Sequence, residues 1–524
     1  MGVAATNQDD VFLDGDDSLH QRESASDPDP GSTPFYQWFR RRIEGGLGGR
    51  KWVAGPSLGV DNGRMPSTRP PDFRAIPSVE RLVNDLAAHS LPRPLVIKVA
   101  RGIIEGIRQE GVVPTYDEIL DQLSQRLRHW SRARLQAVIN ATGIALHTNM
   151  GRAPLGEAGV ELVRRIAGSY SNLELDLEKG TRGKRGRYVE ECLSLLGGAP
   201  AAAVVNNCAA ALMLVLNQAL REGKPEVVIS RGELVQIGGG FRIPEILEAS
   251  GATMCEVGTT NRTTLDDYRS AINPRTGLIL VVHRSNFYMR GFVEAPPLAQ
   301  LVQLASSEGM KLVYDQGSGA VMGTEQFEDL SHELTAQEAV KTGVDYVCFS
   351  GDKLFGGPQA GVLLGASDTI SSLKQNPLYR AMRCDKMVLA ALQTTVESYL
   401  DASLSKGEAG GALPLHRFMG TSVTELRARA EWICEQLDNP SIQIAIVETT
   451  TEVGGGTLPD GRLPSLALTL RHAEESAGHL ARALRESEVP IVGYVKRDCC
   501  YLDLRSVAAQ DDGVLLDALN RLIR

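Results

Sequence analysis

The spacing of apolar positions changes character several times along this chain. Residues 1–32 are polar and acidic, end in Asp-Pro-Asp-Pro-Gly-Ser-Thr-Pro, and are expected to be disordered. Residues 33–70 mix basic and aromatic side chains (Phe35, Tyr36, Trp38, Phe39, Trp52) with glycines and prolines, a linker-like extension. From 71 to 137 the apolar positions recur at helical spacing. Ser78 is a candidate N-cap for a first helix, Pro92 and Pro94 interrupt before a second begins at 95, and a third runs from Thr115 to about Ala137. Between 138 and 400 short apolar runs alternate with helical patterns. The predicted strands are 201–205, 226–230, 253–257, 277–283, 311–314, 346–349 and 361–364, and an alanine-rich helix follows the first of them over 208–220. That alternation predicts an α/β core, a mainly parallel sheet with helices on both faces. Residues 401–524 read as a smaller α+β domain, with helices at 421–437 and 473–486 and strands at 465–470 and near 490–504.

Composition narrows the class. At 43% hydrophobic and 23% charged residues the chain is ordinary globular material, and no apolar run reaches the ~20 residues a membrane span needs. The acidic start (Asp9, Asp10, Asp14, Asp16, Asp17) is unlike a signal or transit peptide. Eight cysteines without CxxC spacing fit a reducing cytoplasm and offer no metal-ligand pattern, and vicinal Cys499 and Cys500 read as packing residues. The net charge of -9 is uneven. Residues 1–30 carry eight acidic side chains against Arg22, whereas 33–74 carry eight basic ones against Glu44, Asp61 and Asp72. Such asymmetry fits a polyanionic partner and fits a solvated tail equally well. Arginines at 93, 101, 108, 126, 128, 132 and 134 make the 71–137 module mildly basic, which suits either a nucleic-acid grip or a solvated bundle.

Candidate chemistry gathers where strands end, the edge at which such sheets collect ligands. After the run 346–349 comes Ser350-Gly351-Asp352-Lys353-Leu354-Phe355-Gly356-Gly357. A lysine that forms a Schiff base needs a fixed stem, a partly dry pocket and backbone able to approach a flat cofactor; by itself this stretch is equally consistent with an ordinary loop lysine. Asp315 ends an earlier strand, where a carboxylate can keep a pyridine nitrogen protonated or simply cap backbone N–H groups. Asn206-Asn207-Cys208-Ala209 forms a strand–turn–helix start, with free N–H groups and the positive end of a helix dipole for a phosphate. Lysine, aspartate and helix start together are the requirements of pyridoxal 5'-phosphate. The dense segment 138–155 and the basic loop 180–188 are further site material.

Over about residues 76–524 the chain resembles the bacterial selenocysteine synthases, the L-seryl-tRNA(Sec) selenium transferases, which are fold-type-I pyridoxal-phosphate enzymes. The resemblance is carried by Ile139-Asn140-Ala141-Thr142-Gly143, the run from Leu146 to Leu155, Tyr170 to Glu174, Gly183-Lys184-Arg185-Gly186, Ile229 to Val235, Glu256 to Arg262, Ser350 to Gly361 and Val453 to Pro459. It implies that Lys353 is the Schiff-base lysine, backed by Asp315. Asn207, Cys208, Ala209 and Ser350 would hold the cofactor, and Arg152, Arg187, Asn286, Arg380 and Arg383 match groups for the substrate and selenium donor. The implied reaction converts L-seryl-tRNA(Sec) to L-selenocysteinyl-tRNA(Sec) through a cofactor-bound aminoacrylyl intermediate, with selenophosphate as donor. The implied assembly is a cytoplasmic homo-oligomer, a decameric ring of dimers, with 71–137 as its tRNA-binding domain, 138–400 as the catalytic core and 401–524 as the small domain. Cys208, Gln316 and Arg284 depart from the family pattern, and residues 1–70 lie outside it. A rival from the same superfamily, a lyase acting on a small amino or sugar acid, would use Arg380 or Arg383 to clamp a free carboxylate. A non-catalytic RNA-binding relative is opposed by the intact Lys353 and Asp315.

Overall fold

The computed structural model describes residues 73–86, 90–237, 240–404 and 413–523. The expectations for 1–32 and 33–70 fall outside the described residues. The described chain forms two compact units, 73–136 and 137–523.

The first unit is three helices. In α1 (Val79–Asn84) the Ser78 hydroxyl accepts from the Arg81 N–H at 3.2 Å. Helix α2 (Arg93–Glu110) starts before the position that Pro94 suggested, because a proline in the first turn removes an N–H that has no intrahelical partner anyway. Helix α3 (Tyr116–Arg132) opens with a reciprocal capping box between Thr115 and Glu118. Leu82, Val96, Ile103, Ile107, Ile119, Leu123 and Leu127 close the core between them. Arg126, Arg128, Arg132, Arg134 and a half-exposed Trp130 are left on the outside of the C-terminal half of α3 and its exit.

In the second unit a seven-stranded sheet runs through β1 (Ala201–Val205), β2 (Glu226–Ser230), β3 (Thr253–Val257), β4 (Thr276–Val282), β5 (Lys311–Gly317), β6 (Tyr346–Ser350) and β7 (Gly361–Gly365), in the spatial order β1-β7-β6-β5-β4-β2-β3. Strand β7 is antiparallel to both its neighbours and the remaining pairs are parallel. The exception has a simple cause. Residues 351–360 are too few for a crossover helix, so the chain turns back beside β6. Alternate residues of one strand feed opposite faces, with Phe349 in one core and Cys348 in the other. Helices α4 (Arg187–Gly197) and α6 (Lys386–Leu404) cover the first face, and α5 (Cys208–Arg221) covers the second.

The C-terminal part is an antiparallel sheet of β8 (Ile442–Glu452), β9 (Arg462–His472), β10 (Tyr494–Lys496) and β11 (Cys499–Asp503), ordered β8-β9-β11-β10. Helices α7 (Val423–Gln436), α8 (Ala477–Arg485) and α9 (Asp512–Arg521) share its core. Sequence patterning missed β8: Ile442, Ile444 and Ile446 alternate in its first half, but Thr449-Thr450-Thr451 in its second carries no apolar signal. Its threonines instead meet a buried carboxylate: Thr449 and Thr451 both donate to Asp503. Ile139–Asn140 pairs with Ile491–Val492, so the start of the second unit is stitched to this C-terminal layer and not to the central sheet. No described helix is long and apolar enough to cross a membrane.

Candidate functional site

Lys353 lies in the turn that reverses β6 into β7. Gly351 N–H donates to Ala360 O at 2.8 Å, Gly357 N–H donates to Gly351 O at 2.8 Å, and Leu354 N–H donates to Ser318 O at 2.9 Å. The last bond ties the lysine's turn to the exit of β5. Glycine is required at 351, since a Cβ there would sit 2.6 Å from Pro358 O. Lys353 is only 3% exposed, and burial lowers the pKa of its amine, which favours the neutral, nucleophilic form. Its Nζ donates to Gly456 O at 3.4 Å.

Asp315 lies inside β5, which runs on to Gly317 and not to 314 as patterning suggested. It is opposite Cys348 in β6, and the register shifts between Asp315 and Gly317. That irregularity turns Gly317 to a φ of 66°. A Cβ on Gly317 would meet Asp315 Oδ1 at 3.8 Å and Lys353 Nζ at 4.0 Å, so the carboxylate and the amine flank one bare glycine. Asp315 Oδ1 accepts from the thiols of Cys208 at 3.4 Å and Cys348 at 3.5 Å. Burial pushes its carboxyl up from the usual range, against those two bonds. The Cys208 contact and burial hold the Cys348 thiol protonated, well above its ordinary range. Among the described residues no cation stands within ion-pair distance of Asp315.

The Cys208 contact brings the start of α5 to this carboxylate. Asn207 caps that helix by accepting from the Ala210 N–H at 2.8 Å, and Cys208 and Ala209 keep their N–H groups at its open end. Gly361 makes the approach possible, because a Cβ there would lie 2.2 Å from Asn207 O. Ser350 is the buried last residue of β6, in register with Gly361.

The polar residues expected around the lysine divide into four groups. Arg152, held at φ 63°, pairs with Asp352 at 2.9 Å and so stands next to Lys353. Asn286 donates to Gln236 O at 2.6 Å, and its buried Oδ1 lacks a hydrogen-bond partner. Arg383 joins Arg182 and Arg185 around Glu174, at 3.6, 2.9 and 3.3 Å. Three guanidiniums on one carboxylate leave positive charge uncompensated, and the buried Nε of Arg383, which reaches Glu174 only through its terminal nitrogen, has no hydrogen-bond acceptor. Arg187 and Arg380 are not brought to the lysine. Arg187 pairs with Glu191 at 2.7 Å on the outer side of α4, along a cleft of about 770 Å³ that Lys386, Leu389 and Gln393 also line. Arg380 is exposed on the short helix Pro377–Ala381. Neither makes a hydrogen bond or ion pair to Lys353, Asp315 or Asp352 in the described structure. Sequence reasoning passed over Glu174, Asp352, Cys348 and Gly456. Asp352 was the most accessible of these, a charge adjacent to the lysine at a strand end; Cys348 and Gly456 act through contacts far apart in the chain, and Glu174 through distant Arg383 as well as nearby Arg182 and Arg185.

Comparison with known proteins gives three findings. Residues 138–508 match the family model described as L-seryl-tRNA selenium transferase. The L-seryl-tRNA(Sec) selenium transferase of Aquifex aeolicus is 39% identical over 455 residues, covering 86% of this chain and 99% of that protein. That of Carboxydothermus hydrogenoformans is 41% identical over 434 residues, 82% and 90% of the two chains. Among solved structures, D-glucosaminate-6-phosphate ammonia-lyase superposes with a TM-score of 0.52 at 20% identity, covering 75% of this chain and 97% of that one. The shared architecture is the fold-type-I arrangement of pyridoxal-phosphate enzymes.

Proposed function

The chain belongs to the L-seryl-tRNA selenium transferase family, and from that premise we propose that it converts L-seryl-tRNA(Sec) to L-selenocysteinyl-tRNA(Sec) with pyridoxal 5'-phosphate as cofactor and selenophosphate as selenium donor. The observation that carries the reading is the buried Lys353 amine and the buried Asp315 carboxylate on either side of Gly317. A buried carboxylate with no cation in ion-pair contact among the described residues is costly, and a protonated pyridine nitrogen would supply one. The donor set therefore fits the cofactor. Lys353 would attach it, Asp315 would keep its ring nitrogen protonated, and Cys208, Ala209 and the dipole of α5 would hold its phosphate. When bound, the cofactor supplies a sink for the electron pair left when the seryl Cα loses its proton.

The chain's own groups do the rest. Burial keeps Lys353 Nζ neutral enough to bond the cofactor and, once released by the substrate's amine, to take the proton from Cα. The substrate's carboxyl is esterified to tRNA, so no arginine is needed as a carboxylate clamp. Arg152 beside Lys353, and the Arg185–Arg383 pair with the spare Nε donor of Arg383, are available for the anionic donor and the tRNA terminus. The exposed arginines of α3 suit the tRNA backbone. We read the working form as a cytoplasmic ring of dimers. Exposed Tyr170, Leu177, Leu195 and Phe292 give a second copy apolar surface to cover, and assembly offers Arg187 and Arg380 a route to a neighbour's site.

The test is direct. Protein loaded with pyridoxal 5'-phosphate is mixed with seryl-tRNA(Sec) and selenophosphate, and the aminoacyl product is identified by mass spectrometry. Selenocysteinyl-tRNA is expected. Protein that ignores the tRNA yet changes its cofactor absorbance with a free amino acid would refute the proposal.

A further inference from the structure

The loop joining β8 to β9 carries Gly454-Gly455-Gly456 into the site from the C-terminal sheet. All three glycines hold left-handed backbone, with φ values of 75°, 63° and 77°, a conformation that side chains rarely adopt. Two of them also face close neighbours. A Cβ on Gly455 would lie 2.6 Å from Leu146 O, and one on Gly456 would lie 3.1 Å from Lys353 Nζ and 3.7 Å from Ser285 Oγ.

The loop is anchored from several directions. Ala145 and Leu146 N–H donate to Glu452 O and Val453 O, each at 2.9 Å, and Glu452 N–H donates to Gly143 O at 2.8 Å. Buried Thr457 turns its hydroxyl back onto Gly454 O at 2.5 Å. A carbonyl held this firmly is a fixed acceptor, and the one it meets is the lysine amine, at 3.4 Å. A buried amine that must leave a covalent bond and then carry a proton needs such an acceptor in place of the water it has lost.

The geometry points to Gly456 as a positioning residue for the reaction: its carbonyl docks Lys353 Nζ when that amine is released, and its missing side chain leaves the amine its place. This rests on the role given to Lys353 under the proposed function. As the Nζ lone pair takes up the Cα proton, positive charge builds on the nitrogen. Gly456 O accepts one of its N–H bonds and stabilises that form at the position from which the proton left. Since the close contact at Gly456 is with the tip of a flexible side chain, an added methyl displaces the amine, and the backbone strain of a side chain at positive φ is matched by the control at Gly309.

The experiment uses full-length protein stripped of cofactor. Attachment of pyridoxal 5'-phosphate to Lys353 is trapped by borohydride at a series of pH values and quantified by peptide mass spectrometry. Gly456→Ala should move the midpoint of the pH profile down by about half a unit to one unit, because the protonated amine loses its acceptor. Thr457→Val, which frees the loop without adding bulk, should shift it the same way by less. Gly309→Ala, also at positive φ but with open space around its Cβ, should leave the midpoint unchanged. With seryl-tRNA(Sec), Gly456→Ala should slow solvent deuterium exchange at the seryl Cα roughly tenfold at unchanged tRNA affinity. Midpoints for Gly456→Ala and Thr457→Val that coincide with wild type would overturn the proposal. If wild-type protein shows no exchange with seryl-tRNA(Sec) while the midpoints still shift, the substrate reading fails and the dock stands.

Discussion

Asp503 offers the sharpest test of how the C-terminal sheet supports the site. The residue is fully buried. Its carboxylate accepts from Thr449 at 2.7 Å, Thr451 at 2.8 Å, Ser465 at 2.7 Å and the Arg505 N–H at 3.1 Å. Two of those donors lie on β8 and one on β9, the strands that lead into and out of the glycine loop. Asp503→Ala leaves all four donors without their acceptor. A hydrogen bond to a charged group contributes about 1.5–3 kcal/mol, but the hydroxyls can turn to other acceptors and the terms do not add, so a net loss of about 3–4 kcal/mol is expected. Asp503→Asn keeps the shape and one oxygen. That oxygen can serve Thr451, Ser465 and Arg505, while the Thr449 hydroxyl rotates to accept from the new amide; about 1 kcal/mol should be lost. Hydrogen exchange by mass spectrometry on peptides spanning 442–472 reads local opening directly. Protection should fall by roughly two to three powers of ten for alanine and by less than tenfold for asparagine. Alanine protection within threefold of wild type, or asparagine as damaging as alanine, would refute the reasoning.

Four further outcomes follow. Lys353→Ala should abolish borohydride-trapped cofactor and selenium transfer while leaving tRNA binding largely intact, measured by filter retention. Replacing Arg126, Arg128, Arg132 and Arg134 together by alanine should weaken tRNA binding and flatten its dependence on salt, because each lost phosphate contact removes counterion release. Glu233 accepts from the Val282 N–H at 3.0 Å, yet burial pushes its carboxyl up to about 7. Its folded pKa lies above the unfolded value, so its contribution to stability is complete below about 4.5 and is lost as pH rises through 7. The urea stability of wild type relative to Glu233→Gln should therefore fall between pH 5 and 8, and a constant difference would contradict this. Gly361→Ala should lower cofactor affinity at least tenfold, since its Cβ would push Asn207 and the start of α5 away from β7; equilibrium dialysis with pyridoxal 5'-phosphate measures it.

The alternation of strands and helices, the burial of 346–349, the cap residue Ser78 and the helix starts near Thr115 and Asn207 were legible in the sequence, because each depends on neighbours within a few positions. The placement of Lys353 and Asp315 near strand ends was legible as well, since short polar segments after apolar runs mark such ends. Other features needed partners far along the chain. The threonine half of strand β8 carries no apolar signal because it is satisfied by Asp503, more than fifty residues away from the nearer of its two donors. Glu174 acquires meaning only when Arg182, Arg185 and Arg383 converge on it.

The sequence by itself determined the local conformations, the α/β class and the residue types able to do the chemistry. Periodicity, capping and glycine demands are short-range properties that hold before any long-range contact forms. The tertiary structure alone decided which of those residues meet, which charges lose water, and where backbone without side chains comes up against an amine. It set Lys353 and Asp315 on either side of Gly317, left Arg187 on the surface, and brought Gly456 O to Nζ from another sheet. Desolvation and register belong to the packed molecule, and those two quantities bury the amine of a lysine that follows a strand and lower its pKa.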